Sequence, residues 1–229
     1  MDYTFTPVAL VRSPFRDKFG VPRQPFLAPS ARQTVELLPP FDQPDAVRGL
    51  EAFSHLWLQF VFHQTAERGW QPLVRPPRLG GNRKVGVFAS RATHRPNPLG
   101  LSLVRLHAVD TENGVRLHIS GADLVDGTPV LDIKPYIPFV EAVSDARGGF
   151  VDGPPPRLAV RWQPQALQQL ALAGHAKDLV QLAEEVLAQD PRPAYQQDPA
   201  RVYGVRLYDC DVRFRVADGC AEVLEIVAS

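Results

Sequence analysis

Prolines set the strongest limit on what this chain can fold into. Proline makes up 23 of the 229 residues, about twice its average usage. Because proline lacks a backbone N–H and fixes φ, this density favours strands, turns and stiff loops over long helices. A content of 45% hydrophobic and 22% charged residues is typical of a folded globular protein.

Short apolar runs alternate with proline-rich loops through the first part of the chain. Residues 56–62 have apolar side chains on both sides and predict a strand buried on both faces. Residues 101–109 and 115–120 predict a hairpin, and residues 45–53 predict a short helix with Asp45 as its N-cap. The strand–helix alternation of a dinucleotide-binding fold is absent from the sequence. The pattern therefore predicts a mainly β protein whose main domain resembles an antiparallel β-barrel.

Composition changes between residues 142 and 157, where glycines and prolines predict a linker. Beyond it, apolar residues at helical spacing predict a helix around residues 179–187. Two later apolar runs predict strands of a small sheet, 202–216 and 221–227, with a turn at Asp218-Gly219. We therefore expect a barrel domain of residues 1–141, a linker of residues 142–157 and a small α+β domain of residues 158–229.

Net charge and cysteine content indicate the cellular compartment of the protein more clearly than its binding partner. The chain has 25 basic and 25 acidic residues, so net charge indicates no nucleic-acid partner, although a local basic patch would not show in that sum. Its two cysteines, Cys210 and Cys220, favour a reducing compartment over a disulfide framework. Neither a signal peptide nor an apolar run of about 20 residues is seen. We expect a cytoplasmic protein outside the membrane.

Polar residues concentrate in four segments at loops or strand ends, where sites tend to be built: residues 18–24, 63–64, 91–102 and 123–136. Arg23 offers a planar fork suited to a carboxylate or phosphate, or is an ordinary surface arginine. His63 is suited to binding a ligand edge or carrying a proton, or is a core histidine satisfied by a backbone carbonyl.

The other two segments present several polar groups at once. Prolines stiffen the loop that carries Arg91, His94, Arg95 and Asn97, which lowers the cost of ordering it around a ligand. Asp132 and Lys134 lie on the same side of a strand, where they either pair with each other or orient a substrate. His63 and His94 with Asp126 or Asp132 match no metal-binding spacing, so no metal is expected.

Several longer strings resemble the TrmO family, formerly described as TsaA- or YaeB-like. They are KFGVPRQ (18–24), GLEAFSHLWLQFVFH (49–63), RPPRLGG (75–81), THRPNPLG (93–100) and DGTPVLDIKPYIPF (126–139), and DPRPAY (190–195) resembles the C-terminal domain of the family. The resemblance implies a homodimeric β-barrel enzyme that uses S-adenosylmethionine. It implies methylation of N6 of threonylcarbamoyladenosine at position 37 of tRNA, beside the anticodon.

The resemblance also implies positions for the cofactor and substrate. It places S-adenosylmethionine at Pro22, Arg23, Gln24, His63, Gln64, Arg91, Leu101, Asp126, Gly127, Thr128 and Pro129. Methyl transfer to N6 needs close, in-line alignment and an acceptor for the N6 proton, for which Asp126, His63 and His94 remain alternatives. The substrate carboxylate and the anticodon stem-loop are expected near Arg75, Arg78, Arg83, Arg91, Arg95, Asn97 and Lys134.

Two other classes of function compete with this interpretation. A non-catalytic tRNA-binding module would bind tRNA but not S-adenosylmethionine, and the zero net charge and few exposed-looking aromatic residues disfavour it. A small-molecule hydrolase would need a nucleophile arrangement that the sequence does not contain. Four arginines of the C-terminal domain either contact tRNA or belong to a solvated strand face: Arg201, Arg206, Arg213 and Arg215.

Overall fold

The computed structural model describes residues 2–151, 153–172, 176–193, 196 and 198–228. Its strands are β1 (Ala9–Arg12), β2 (Arg32–Leu37), β3 (His55–Val61), β4 (Leu73–Val74), β5 (Val85–Gly86), β6 (Leu99–Asp110), β7 (Arg116–Ser120), β8 (Pro129–Pro135), β9 (Ala159–Trp162), β10 (Tyr203–Leu207), β11 (Cys210–Ala217) and β12 (Cys220–Ala228). Its α-helices are α1 (Pro138–Glu141), α2 (Pro164–Leu170) and α3 (Ala176–Leu187). Short 3-10 helices lie at Pro44–Val47, Leu50–Ala52, Ala66–Arg68, Pro77–Leu79 and Val87–Ala89.

Two compact units share the chain, and each is assembled from separate segments. The first consists of Met1–Arg12, Thr34–Ile119 and Gly127–Pro154. The second consists of Ser13–Gln33, Ser120–Asp126 and Pro155–Ser229. Within the DPRPAY string, Ala194 and Tyr195 lie outside the described residues.

The first unit is built on a closed barrel with the strand order β1-β2-β7-β6-β3-β8, in which β8 pairs back to β1. This confirms the predicted β-barrel. In β3, Leu56, Leu58 and Phe60 are at most 5% exposed, whereas the intervening side chains are partly or fully exposed. Burial of β3 on both faces was therefore a wrong expectation, because only alternate side chains of a barrel strand point into the core.

Local elements of the barrel agree with the sequence in part. The hairpin is confirmed, since β6 and β7 are neighbours in the barrel. The single helix over residues 45–53 is wrong: two 3-10 helices are separated by Gly49, whose φ is 85°. The first of them begins at Pro44, so Gln43 rather than Asp45 is its N-cap. A left-handed glycine interrupts helical geometry because it reverses the sign of φ.

The second unit is a four-stranded sheet, β10-β11-β12-β9, in which β9 and β12 are parallel. Helix α3 is confirmed, and it buries Leu182 and Leu187 in a core that also holds Phe15 and Phe214. The expected strand over residues 202–216 is two strands, because the chain turns at Tyr208 with a φ of 55°. The Asp218-Gly219 turn is confirmed. The unit has the expected α+β character.

Among the described residues, no helix combines the length and the apolar character that crossing a membrane requires.

Candidate active site

One end of the barrel collects the segment after β3 and the start of β6. The two strands are antiparallel, and Leu101 lies in the part of β6 that pairs with the C-terminal half of β3. The ladder continues beyond β3, where the Phe62 N–H donates to the Pro98 carbonyl at 2.8 Å. His63 and Gln64 therefore lie beside the start of β6. Leu101 is 52% exposed there, which leaves apolar surface for a ligand.

The start of β8 lies at the same end, because β3 is also antiparallel to β8. The Gly127 N–H donates to the Val11 carbonyl at 2.8 Å, and the Val11 N–H donates to the Thr128 carbonyl at 3.0 Å. Gly127 has a φ of 75°, and a Cβ added there would meet no atom within 4 Å. The backbone before Pro129 is thus fixed by β1 while the space beside Gly127 stays open. The first unit therefore brings together His63, Gln64, Leu101, Gly127, Thr128 and Pro129.

The loop that precedes β6 uses Arg95 as an internal support. Arg95 Nη1 donates to the Val87 carbonyl at 3.2 Å and to the Ser90 carbonyl at 2.8 Å. Its guanidinium also lies 5.8 Å from the centre of the Phe88 ring. Arg95 thus stabilises the turn at residues 87–90, a role that sequence reasoning missed. Arg91 and Asn97 of the same loop are exposed.

The three candidate proton acceptors have different surroundings. Asp126 Oδ1 accepts the Ser13 N–H at 2.9 Å and its Oδ2 accepts Arg16 Nη1 at 2.8 Å, so both carboxylate oxygens are occupied. His94 Nδ1 lies 3.4 Å from Thr93 Oγ1. The half-buried His63 imidazole has no hydrogen-bonding partner among the described residues. His63 is therefore the candidate whose ring nitrogens are available.

Lys134 pairs with Asp132, at 2.6 Å between Nζ and Oδ2. Both side chains are about half exposed, and such exposed pairs contribute only about 0.2–1 kcal/mol. Lys134 is therefore held loosely enough to exchange its partner for another carboxylate.

Pro22, Arg23 and Gln24 belong to the second unit, as does Asp126. Arg23 Nη2 donates to the Arg192 carbonyl at 3.3 Å. Arg192 in turn pairs with Asp190 through two hydrogen bonds of 2.7 and 2.9 Å, and hydrogen bonding to Asp190 raises the pKa of Arg192. The predicted cofactor segment thus contacts the DPR part of the C-terminal motif.

The other arginines that the sequence analysis considered as contacts for tRNA lie in both units. Arg75, Arg78 and Arg83 are exposed in the first unit, and Arg78 Nη2 donates to the Gly153 carbonyl. In the second unit, Arg213 pairs with Glu225 at 2.7 Å and Arg215 with Glu222 at 2.6 Å. These ion pairs favour the solvated-strand interpretation for β11 over a phosphate-binding face. Arg201 instead lies 5.3 Å from the centre of the Tyr203 ring.

Exposed aromatic side chains are more numerous than the sequence suggested. Trp70 is 53% exposed and Phe88 is 77% exposed. Both lie beside the β4–β5 ribbon, a two-stranded sheet separate from the barrel. In the sequence both residues stand among glycine, proline and arginine, and this composition could have indicated that they are exposed.

A depression of about 350 Å³ lies at the other end of the barrel, where β3 begins and β6 ends. It is lined by Pro44, Asp45, Val47, Arg48, Glu51, Val109 and Thr111. None of the predicted cofactor residues contributes to it. Within the described part of the chain, no group of three or more His, Cys, Asp or Glu side chains is arranged to hold a metal ion.

Family comparison covers both parts of the chain. The tRNA-methyltransferase O N-terminal domain matches residues 10–142, and the TrmO C-terminal domain matches residues 155–229. The chain belongs to the TrmO family. This confirms the resemblance that the sequence strings carried.

Individual TrmO relatives match over nearly their full lengths. The tRNA (adenine(37)-N6)-methyltransferase of Escherichia coli is 50% identical over 229 residues, covering 98% of this chain and 97% of the relative. A Pseudomonas aeruginosa protein named "Putative S-adenosylmethionine-dependent methyltransferase RcsF" is 56% identical over 217 residues, 93% of each chain. A crystal structure of TrmO from Pseudomonas aeruginosa superposes with a TM-score of 0.84 at 46% identity, covering 100% of this chain and 99% of that chain.

Proposed function

We propose that this protein transfers a methyl group from S-adenosylmethionine to N6 of threonylcarbamoyladenosine at position 37 of tRNA. The observation that carries the proposal is the match, over nearly the whole chain, to an enzyme named for methylation of tRNA adenine 37 at N6. The threonylcarbamoyl group is the finer part of the proposal and rests on the motif resemblance. The non-catalytic alternative is disfavoured, because the relatives are named as methyltransferases.

The barrel end fits the chemical character of S-adenosylmethionine. Exposed apolar surface at Leu101 suits the adenine ring, and the open space beside Gly127 allows close approach to the backbone. The exposed guanidinium of Arg91 suits the carboxylate of the methionine part. His63 and Gln64 add polar groups that can bind hydroxyls. Within the first unit we assign the cofactor to these residues together with Thr128 and Pro129. The other positions that the resemblance implies belong to the second unit: Pro22, Arg23, Gln24 and Asp126.

The bound cofactor supplies an electrophilic methyl carbon on a positively charged sulfur. The contribution of the protein is to align N6 with that carbon, and orientation can supply up to about 7–11 kcal/mol of the barrier. The backbone around Thr128 is suited to this, because β1 fixes it on both sides. Lys134 is the proposed partner for the threonine carboxylate of the substrate.

His63 is the proposed acceptor of the N6 proton. Its imidazole has no partner among the described residues, whereas Asp126 is engaged by Ser13 and Arg16. A proton taken up by Asp126 would have to compete with these two hydrogen bonds. Asp126 is therefore assigned the role of holding the segment before Gly127 in place.

The assembly and the compartment are further parts of the proposal. Phe139, Val140 and Val143 lie in or beside α1 and are 89%, 60% and 61% exposed. An apolar cluster of this kind suits an isologous contact, in which the same patch meets its copy, and we place the homodimer interface there. The two free cysteines suit the reducing cytoplasm.

The domain boundaries also remain proposals. We propose a catalytic domain of residues 1–141, a linker of residues 142–157 and a C-terminal domain of residues 158–229. The change between the two matched family domains, from residue 142 to residue 155, supports them.

The activity is tested with tRNA that carries threonylcarbamoyladenosine but not the added methyl group. Purified protein and methyl-labelled S-adenosylmethionine should label this tRNA, and nucleoside mass analysis should find the methyl group on N6 of the modified adenosine at position 37. Calorimetry should show that the cofactor binds without tRNA. If the protein neither binds the cofactor nor labels the tRNA, the proposal is wrong.

His63→Gln separates proton transfer from binding. It should lower kcat by about 10²–10⁴-fold with little change in the KM for tRNA, because general-base catalysis contributes about that much. Asp126→Asn is the matched comparison. An Asp126→Asn enzyme with the larger kcat loss would assign the proton to the carboxylate instead.

A further inference from the structure

The β4–β5 ribbon brings two exposed aromatic residues to one end. Leu73 pairs with Gly86 in the antiparallel register, and the Val87 N–H donates to the Pro72 carbonyl at 3.0 Å. Trp70 precedes β4 and Phe88 follows β5, so the ladder places them at the same end of the ribbon. Their exposure, 53% and 77%, contributes little to the stability of the folded chain. Rings displayed in this way suit recognition of a partner.

Phe88 is held in place before any partner binds. The two carbonyls that accept Arg95 Nη1 belong to Val87 and Ser90, on either side of Phe88 in the chain. The same guanidinium lies 5.8 Å from the centre of the ring, a cation–π distance. The turn and the ring are therefore preorganised, which lowers the entropy lost on binding.

Positive charge surrounds the two rings. Residues 64–100 contain seven basic side chains and one acidic side chain, Glu67, although the whole chain is neutral. Four of the basic side chains are exposed and form no ion pair with any described residue: Arg68, Arg75, Arg83 and Lys84. The arginines of β11, by contrast, pair with acidic neighbours.

The charge decides between possible occupants. A twofold contact between two copies of this segment would place like charges together, which costs energy. A polyanion with exposed aromatic faces satisfies both features of the surface. Unpaired nucleotides have this chemistry, whereas the bases of a duplex are already stacked.

We propose that Trp70 and Phe88 form a stacking platform for unpaired bases of the RNA substrate, and that Arg68, Arg75, Arg83 and Lys84 contact its phosphates. The platform rests on the proposed function, and it adds to that function a surface that distinguishes an RNA loop from an RNA stem. It gives Arg95 a positioning role, since Arg95 supports the platform from inside the protein.

The test measures the affinity of the full chain for two RNA probes, a hairpin with an unpaired anticodon loop and a fully paired duplex of the stem sequence. Trp70→Ala and Phe88→Ala should each weaken hairpin binding by about 5-fold to 100-fold, the range that loss of one base–aromatic stack gives. Duplex binding should stay unchanged. Trp70→Phe should restore most of the hairpin affinity, because it keeps an aromatic face.

Two further variants serve as controls. Leu73→Ala removes an equally exposed apolar side chain from the same ribbon and should leave both affinities unchanged. Arg83→Gln should weaken both probes and lower the slope of log affinity against log salt concentration by about 0.7–0.9, the value for one phosphate contact.

Wild-type hairpin affinity in both aromatic variants would overturn the platform. Equal losses of hairpin and duplex affinity in the aromatic variants, with a similar loss in Leu73→Ala, would also overturn it. Such a result would indicate a general structural effect. A change from dimer to monomer in sedimentation, with RNA affinity retained, would assign the rings to self-association and refute the proposal. Calorimetry with S-adenosylmethionine on the wild-type chain and the same variants separates these outcomes from failure of the proposed function. If the proposed function is wrong, the wild-type chain does not bind the cofactor. If only the platform is wrong, the wild-type chain still binds it.

Discussion

Gly100 lies where a side chain would collide with the barrel core. A Cβ at this position would be 2.2 Å from Phe60 Cζ and 2.5 and 2.6 Å from the two Cε atoms of the same ring. Phe60 is 5% exposed and packs edge-to-face on Phe62 at 5.0 Å between ring centres, so the ring has little room to move. Covering a strand glycine with an aromatic ring from the neighbouring strand is a known stabilising arrangement.

Gly100→Ala should therefore destabilise the protein by overpacking. The closest contact falls about 1.2 Å short of ordinary van der Waals distance, and displacements of this kind in a core cost about 1–3 kcal/mol. For a protein of this length, each kcal/mol lowers Tm by about 2–4 °C. Urea denaturation and thermal melting measure the loss directly.

Two matched variants isolate the collision. Gly86→Ala, at a φ of −60° with no atom within 4 Å of the added Cβ, should be neutral or should stabilise by about 0.4–1 kcal/mol. Combining Gly100→Ala with Phe60→Leu should recover about 0.5–3 kcal/mol relative to the sum of the single effects. Wild-type stability in Gly100→Ala, or strictly additive effects in the double variant, would refute the argument.

Two predictions concern titrating groups in the second unit. Burial, with Asp209 alongside, raises the pKa of the Cys210 thiol, so less thiolate is present at neutral pH; a maleimide reagent followed by peptide mass analysis should label Cys220 first, and faster labelling of Cys210 would contradict this. Hydrogen bonds from Arg215 and Gln163 lower the pKa of Glu222 below its ordinary value of 4.5. The contribution of these hydrogen bonds to folding stability is therefore present above about pH 4.5 and is lost as pH falls through the lowered pKa. Arg215→Gln should move the pKa of Glu222, measured by NMR, back up. An unchanged Glu222 titration would show that the Arg215–Glu222 pair does not form in solution.

Sequence periodicity determined the parts of the fold that depend on near neighbours. The alternation in residues 101–120 specified the β6–β7 hairpin, and the spacing of Leu179, Leu182 and Val186 specified α3. Asp218-Gly219 specified its turn because that dipeptide favours positive φ. The sequence strings that resemble TrmO identified the family. They could be recognised without a structure, because each lies within one continuous stretch of chain.

Contacts between distant residues decided what the sequence could not show. Residues 13–33 join the second unit because Phe15 packs in the core around Phe214 and Arg16 pairs with Asp126, 110 positions away. Composition could not show this arrangement, because a linker signal is local and a shared core is not. The same reason explains the missed role of Arg95: its charge is visible in the sequence, but the carbonyls that it binds are fixed only by the folded turn.

Exposure was likewise decided by tertiary structure. Leu56, Trp57 and Leu58 are all apolar in the sequence, and only closure of the barrel directs alternate residues inward. Trp70 and Phe88 are as apolar as core residues, yet the β4–β5 ribbon leaves them in solvent. Sequence determined several of the strands and the segments that carry polar groups. The folded chain decided which faces are buried, because burial depends on partners that are brought together only when the barrel closes.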